Sequence, residues 1–600
     1  MSLLSQTLQQ AAAMLGRGQV AAAEAALVPL MASSDAADSD VLQLMGLIRM
    51  HQNKPDEGRT LLLRSLTLDP NQPHVRLNLG KAFAWEGRWE EAIEAYRAAI
   101  RLRPDLVEAQ FELGTALHNC GALIEAENTF RGILSTIAGH GPALLGLGAV
   151  LLDLDRPEDA EGVLASAIAA SSDPRLLSRL HYNLAIAQRR LRKFDLALAN
   201  FEQAQGLDPS QQQLDLARAE TLQDLRRSGD ALAVYRHVLS RDPLNAAAHD
   251  SFNSLLYRLG MEDEFLSSYD RAPSTPVLQI AKANFLAASD RSLEAYTVFS
   301  DLLIREPGNS RAAEGAAAML TRMGRHDEAG RLFESAIARD PNNVDLIFGF
   351  SAALLHRGDP GKAAHLAERG LRLLPNDQLG LALLGTAWRM AGTDQDEVLN
   401  GYDSLIQVFD LAPPEGFKNI DAFNAALASY LDELHPPTRE YISQSLRGGS
   451  QTAGSLFGAG HLLIEKLQIR IREAVTRYVA ELPDDPSHPF LSRRRNDVKY
   501  SGSWSSRLLN GGYHANHIHR GGWISSCYYV RLPRVVTDVQ GQQGWITFGQ
   551  PDFDKGPGVR RAIQPVPGRL ILFPSYIWHG TLPFQAETPR MTVAFDALPV

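Results

Sequence analysis

Prolines return along the first two thirds of this 600-residue chain about every 34 residues: Pro70, Pro104, Pro174, Pro209, Pro243, Pro276, Pro307, Pro341 and Pro375, with one double gap and one short one. A period of that length marks a helix–turn–helix unit repeated in series. Proline has no N–H to continue a helical ladder, so it punctuates each unit. Two short helices cannot bury their apolar face alone, so each unit must stack on the next and contact little else. A chain this long is in any case too large for one compact core. The period predicts about eleven helical pairs from the N-terminus to roughly residue 410, stacked as an α-solenoid with a long concave face.

The clearest unit runs from Gln72 to Pro104. Gly80 lets its two helices approach, Ala92 and Ala99 keep the second helix thin, and Tyr96 fills the space between them. With Leu79, Phe83 and Pro104 at their offsets, the unit resembles the tetratricopeptide repeat. Gly114, Leu117, Ala126 and Phe130 continue the pattern, as do Gly148, Leu151 and Ala160, and later Ala329, Phe333, Ala336 and Pro341. The spacing shortens around Met261–Ser300. The resemblance implies a protein or peptide partner held in the solenoid groove. The acidic excess of the chain (net charge −10) is concentrated in this region. That speaks against nucleic acid as a partner and suits a basic one.

Two cysteines, Cys120 and Cys527, are too few and too far apart for a disulfide framework, which fits a reducing compartment. The first residues lack the basic and apolar regions of a signal peptide, and no apolar run approaches the length of a membrane span. The expectation is a cytoplasmic protein without membrane contact. Gly146-Leu-Gly148 lies inside a helical repeat, so it does not read as a dinucleotide loop. Arg493-Arg494-Arg495 reads as a solvated basic loop.

Pro413-Pro414-Glu-Gly marks a boundary, followed by amphipathic helices over 418–434 and 458–482. Between them lies the polar, glycine-bearing Gln444-Ser-Leu-Arg-Gly-Gly-Ser-Gln-Thr452, readable as a connector or as the edge of a pocket. From Val498 on, short β-rich runs alternate with glycine and proline: Tyr500–Leu509, Tyr513–His519, Trp523–Leu532, Gly544–Phe548, Ala562–Val566, Arg569–Phe573 and Met591–Ala597. Strands this short and dense suggest a barrel or sandwich. His517 and His519 stand two apart in such a run, so both rings point to one side. His579 ends another run and can bring a third imidazole to them. Three neutral imidazoles converging from separate strands make a transition-metal site. Arg590 and Thr592, also two apart, can present a guanidinium and a hydroxyl to a carboxylate.

Asn516-His-Ile-His-Arg-Gly-Gly-Trp-Ile-Ser-Ser-Cys-Tyr-Tyr-Val530, Phe573-Pro-Ser-Tyr-Ile-Trp-His-Gly-Thr-Leu-Pro-Phe584 and Arg590-Met-Thr-Val-Ala-Phe-Asp596 together resemble a bacterial branch of the Fe(II)- and 2-oxoglutarate-dependent oxygenases. Those enzymes carry H-x-D/E, a distal His and R-x-S on a double-stranded β-helix. The resemblance covers roughly 417–600. Beside the repeats over 1–410, it implies a linker and helical support over 411–497 and a double-stranded β-helix (jelly-roll) oxygenase core over 498–600. It also implies that His517 and His579 bind Fe(II), and that Arg590 and Thr592 hold the far carboxylate of 2-oxoglutarate. The expected activity is oxygen-dependent hydroxylation of a substrate that the repeats recruit.

The chain departs from the pattern at His519, which stands where most of the superfamily has a carboxylate. Either three histidines bind the metal, or two do and water completes the set. His514 should face the other way if the strand is regular. An imidazole fills the slot that halogenating relatives leave open, which argues against halogenation. The alternative class of function is a non-catalytic repeat scaffold whose barrel only binds a ligand or has lost its chemistry.

Overall fold

The computed structural model describes residues 3–32, 38–209, 212–435, 442, 444–452, 455–458, 460–553 and 556–600. The chain divides into two compact units, Met1–Leu214 and Asp215–Val600. Helical pairs make up the first unit. The second contains further pairs and then the β region.

From Leu3 to Asn400 the described residues form 24 helices, or twelve successive pairs, against the eleven or so expected. The turn inside each pair carries a residue with positive φ: Gly18, Asn53, Gly87, Gly121, Asp155, Arg192, Arg226, Gly260, Asp290, Gly324, Gly358 and Gly392. One left-handed residue reverses the chain after each first helix, satisfying its last carbonyls and opening the second helix. This turn marks the repeat more regularly than proline does. The shortened unit has a local cause. After Gly260 the chain turns through Leu266, also at positive φ, leaving only Ser267–Arg271 as its second helix.

Packing inside a pair follows residue size. A Cβ on Gly80 would stand 2.5 Å from the Tyr96 ring, and one on Gly114 2.8 Å from Phe130. The bare backbone of the first helix is thus the seat for the aromatic of the second. Ala92 and Ala99 are fully buried beside Tyr96.

Among the described residues nine strands follow: β1 (Gln407–Asp410), β2 (Leu446–Gln451), β3 (Val498–His514), β4 (Ile524–Arg531), β5 (Ile546–Phe548), β6 (Arg561–Ile563), β7 (Arg569–Pro574), β8 (His579–Thr581) and β9 (Arg590–Pro599). They form a six-stranded sheet in the order β1-β7-β4-β9-β3-β2 and a three-stranded sheet in the order β6-β5-β8. Every pairing is antiparallel. This arrangement is consistent with the double-stranded β-helix expected from the resemblance. The large sheet reaches upstream of residue 498, taking in β1 and β2. The polar, glycine-bearing stretch at 444–452 is therefore largely an edge strand.

The sheet is built on alternation. On β9, Met591, Val593, Phe595 and Ala597 are fully buried in the main core, while Arg590, Thr592, Ala594 and Asp596 line a cavity. Helices Ile420–Leu434 and Leu462–Glu481 cover the core face with Phe423, Leu427, Leu431, Ile464, Leu467 and Ile471. Tyr528 donates to Asn424 Oδ1 at 2.7 Å, which fixes the first helix on the sheet.

The last helix pairs are fastened to the β region within the second unit. Arg389 donates to the carbonyls of Gly549 and Gly558, and Trp578 Nε1 to Thr386 Oγ1. Phe553 is buried in the apolar cluster of the repeats with Phe348, Leu354 and Leu384. No helix among the described residues is long and apolar enough to cross a membrane.

Candidate metal centre

His517 and His579 are brought together by the backbone. Each N–H donates to the carbonyl of the other, at 2.9 and 3.0 Å, as an isolated antiparallel bridge. His519 N–H donates to the Ser575 carbonyl at 3.0 Å, tying the third histidine to the segment before His579. Gly580 is needed for this approach, since a Cβ there would collide with Asn516. The three rings converge: their centroids lie 4.2 Å (His517–His579), 5.0 Å (His519–His579) and 5.1 Å (His517–His519) apart. One ligand nitrogen from each lies within 4.8 Å of the others.

The outward nitrogens decide which atoms remain for a metal. His517 Nδ1 lies 2.8 Å from the Ala515 carbonyl, His579 Nδ1 3.0 Å from the Ile577 carbonyl, and His519 Nδ1 2.6 Å from Asp596 Oδ1. Carbonyls and carboxylates only accept, so each Nδ1 carries a proton and Nε2 is the ring atom left to face a metal. Burial, with His519 close by, pulls the pKa of His517 down to about 3. Burial also holds His579 and His514 well below the usual imidazole range. At neutral pH His514, His517 and His579 are uncharged, the form that binds metal.

The sequence placed His514 on the opposite side, but it lines the same cavity. Its Nδ1 lies 3.2 Å from Ser445 Oγ, which also lies 3.3 Å from His517 Nε2. The reason is local. β3 ends at His514, and the chain leaves strand geometry before His517, so alternation no longer relates the two residues.

The cavity that the histidines line has a volume of about 290 Å³. Arg590 and Thr592 line it and are almost fully buried, at 1% and 2% exposure. Arg590 Nε donates to the Gly544 carbonyl at 3.1 Å, and its guanidinium carbon lies 5.1 Å from the centre of the Tyr529 ring. Its Nη2 is buried without a hydrogen-bond partner. A buried cation with an unmet donor is costly, and an anion in the cavity would relieve that cost. The residues therefore fit both groups implied by the resemblance, a divalent metal on three imidazoles and a carboxylate on Arg590 and Thr592. Gln444, Ser445 and Gln451 line the cavity, so the 444–452 stretch does form a pocket edge.

The sequence reading passed over Trp504 and Asp596. Asp596 closes the Arg590–Asp596 segment, and the spacing of two that singled out Arg590 and Thr592 leads on through Ala594 to it. Trp504 carried no such signal, since its place depends on β3 pairing with β9.

Residues 502–596 match the family described as "Putative 2OG-Fe(II) oxygenase". Residues 86–121, 145–212, 182–246, 280–344 and 320–386 match tetratricopeptide-repeat families. Among curated proteins, the chain is 30% identical over 226 residues to cellulose synthase operon protein C of Xanthomonas axonopodis pv. citri. That match covers 34% of this chain and 15% of that protein. It is also 30% identical over 98 residues to the peroxisomal targeting signal receptor of Saccharomyces cerevisiae, covering 16% of each. The chain thus spans about a sixth of the length of these relatives. Among solved structures, pilF of Pseudomonas aeruginosa is 18% identical with a TM-score of 0.31, over 36% of this chain and 95% of that one. This chain carries tetratricopeptide repeats in its helical region and a 2OG-Fe(II) oxygenase family domain over residues 502–596.

Proposed function

We propose that the protein is an Fe(II)- and 2-oxoglutarate-dependent hydroxylase acting on a protein or peptide that its repeats recruit. The observation that carries the reading is that one cavity is lined both by three imidazoles whose ligand atoms lie within 4.8 Å of one another and by Arg590, whose buried Nη2 has no partner.

His517, His519 and His579 would hold the iron, and the backbone bridge between His517 and His579 sets their spacing before any metal arrives. Arg590 and Thr592 would hold the far carboxylate of 2-oxoglutarate, the guanidinium as a charged donor and the hydroxyl beside it. When bound, the iron and 2-oxoglutarate supply the oxidation, in which oxygen converts 2-oxoglutarate to succinate and carbon dioxide and hydroxylates a substrate C–H bond. The domain contributes placement and shielding. Phe573 and Ile546 wall the cavity, and Trp504 stands 5.6 Å, ring to ring, from His519.

Recruitment by the repeats is supported by what stands at the cavity. Arg520 lines it and lies 3.7 and 3.8 Å from carboxylate oxygens of Asp345, on one repeat helix of the second unit, and Asp377, the N-cap of another. A partner held along the repeats as far as those helices would be tethered close to the cavity, which raises its effective concentration there.

The test is succinate release by purified protein supplied with Fe(II), oxygen and 2-oxoglutarate. Slow, substrate-independent release is expected, and it should vanish in His579→Ala. No release under any condition would favour the non-catalytic scaffold. Recruitment is tested by removing residues 1–207. Uncoupled turnover should persist, while kcat/KM on a captured macromolecular substrate should fall at least tenfold, about 1.4 kcal/mol. A small metabolite oxidised equally well with and without those residues would contradict recruitment.

A further inference from the structure

The three histidines are not backed alike. Behind His517 and His579 stand main-chain carbonyls, which are neutral acceptors. Behind His519 stands a carboxylate, Asp596, at 2.6 Å. His519 is also the residue found where the H-x-D/E pattern places an acidic ligand. We propose that Asp596 does from behind His519 what that missing carboxylate would do on the metal: it orients the ligand and supplies the negative charge. The proposal rests on the reading of the three histidines as a metal site.

The surroundings of Asp596 support this. Oδ1 accepts from His519 Nδ1 and, at 2.7 Å, from Ser525 Oγ, and Ser525 is its register partner across β4 and β9. The side chain is 15% exposed. A largely buried carboxylate held by one imidazole and one hydroxyl lacks a full compensating charge. A divalent cation on the far side of that imidazole provides one, through a polarised ring whose Nε2 becomes a stronger donor. Three neutral imidazoles alone would leave the centre one unit more positive than a two-histidine, one-carboxylate set. Asp596 restores that unit one residue further out. It is a positioning residue, since it reaches the metal position only through His519.

The experiment is an anaerobic titration with Fe(II) alone, in the full-length protein, of wild type, Asp596→Asn, His519→Asp and the double variant. Asparagine keeps the shape and an accepting oxygen and removes only the charge. In the wild-type background, Asp596→Asn should weaken Fe(II) binding about 10- to 100-fold. In the His519→Asp background a carboxylate already faces the metal, and Asp596 beside it is a repulsive like charge. There the same change should leave binding unaltered or strengthen it. A structural role alone would move both backgrounds by the same factor, which would overturn the proposal even if the variants melt at lower temperature. Equal Fe(II) affinity in wild type and Asp596→Asn would also overturn it, while leaving the metal site standing. A wild type that takes up no Fe(II) would instead overturn the reading of the site, and this inference with it.

Discussion

In the helical repeats, the residues that fix each other's shape lie on consecutive helices: Gly80 seats Tyr96, and Gly114 seats Phe130. In the oxygenase domain they lie far apart in the chain. Arg590 is held by a carbonyl 46 residues away, Ser445 meets His517 across 72, and Asp596 meets His519 across 77. The difference teaches where damage should stop. A lesion in one repeat is confined to that unit and its neighbours. A lesion in the β region reaches the site wherever it lies, because several strands must be in register before any ligand is placed.

The largest expected effect removes a ligand. His579→Ala should abolish stoichiometric Fe(II) uptake, a loss beyond the roughly 100-fold that outer partners cost. Metal analysis checks it, and a normal helical melt in the same sample would show the repeats untouched. The converse lesion is Tyr96→Ala, which empties a fully packed seat and should cost the local unit about 3–5 kcal/mol. Hydrogen exchange should lose protection over Pro73–Leu102, while Fe(II) uptake stays at the wild-type level. A change in Fe(II) uptake would break the contrast between the two regions.

Next comes the buried arginine of the cavity. Arg590→Ala should weaken 2-oxoglutarate binding roughly 100-fold, with Arg590→Lys in between, because an ammonium restores the charge without the forked donor. Fe(II) affinity measured without 2-oxoglutarate should survive both changes. Unaltered 2-oxoglutarate affinity in Arg590→Ala would remove this residue from the site.

The smallest effect separates the regions by pH. His435 is buried between Ser450 and Ser505, and burial lowers its pKa to about 4. The unfolded chain takes up that proton near pH 6.5, the folded domain only near 4. The unfolded state therefore binds more protons across this window. The contribution of His435 is complete above about pH 6.5 and falls as the pH drops towards 4, by about 2 kcal/mol at pH 5. Metal-free protein should lose its β-domain transition on acidification before its helical one, and His435→Gln should flatten that slope. Loss of both transitions together would contradict it.

How much could be read from the sequence follows the same division. The repeat period, the small residues under each aromatic and the shortened unit were legible because helix pairing is local. At the site, Arg590 and Thr592 share a face of β9 as their spacing of two implied, whereas His517 and His519 lie beyond the end of β3 and meet His579 through the backbone bridge rather than through alternation. His514 was misplaced because alternation holds only inside a strand, and β3 ends at that residue. β1 and β2 were missed because a four- or six-residue strand carries little periodicity, and β2 includes two glycines. Asp596 was within reach of the period-two rule, but its partnership with His519 depends on the pairing of β4 with β9, which no local pattern states.

The central claim is that one cavity takes both a metal and 2-oxoglutarate. Anaerobic addition of Fe(II) and then 2-oxoglutarate to the purified protein tests it most directly. The account predicts a metal-to-ligand charge-transfer band that saturates at one equivalent of Fe(II), is absent in His579→Ala, and requires much more 2-oxoglutarate in Arg590→Ala. Wild-type protein that binds Fe(II) yet shows no band at saturating 2-oxoglutarate would contradict it.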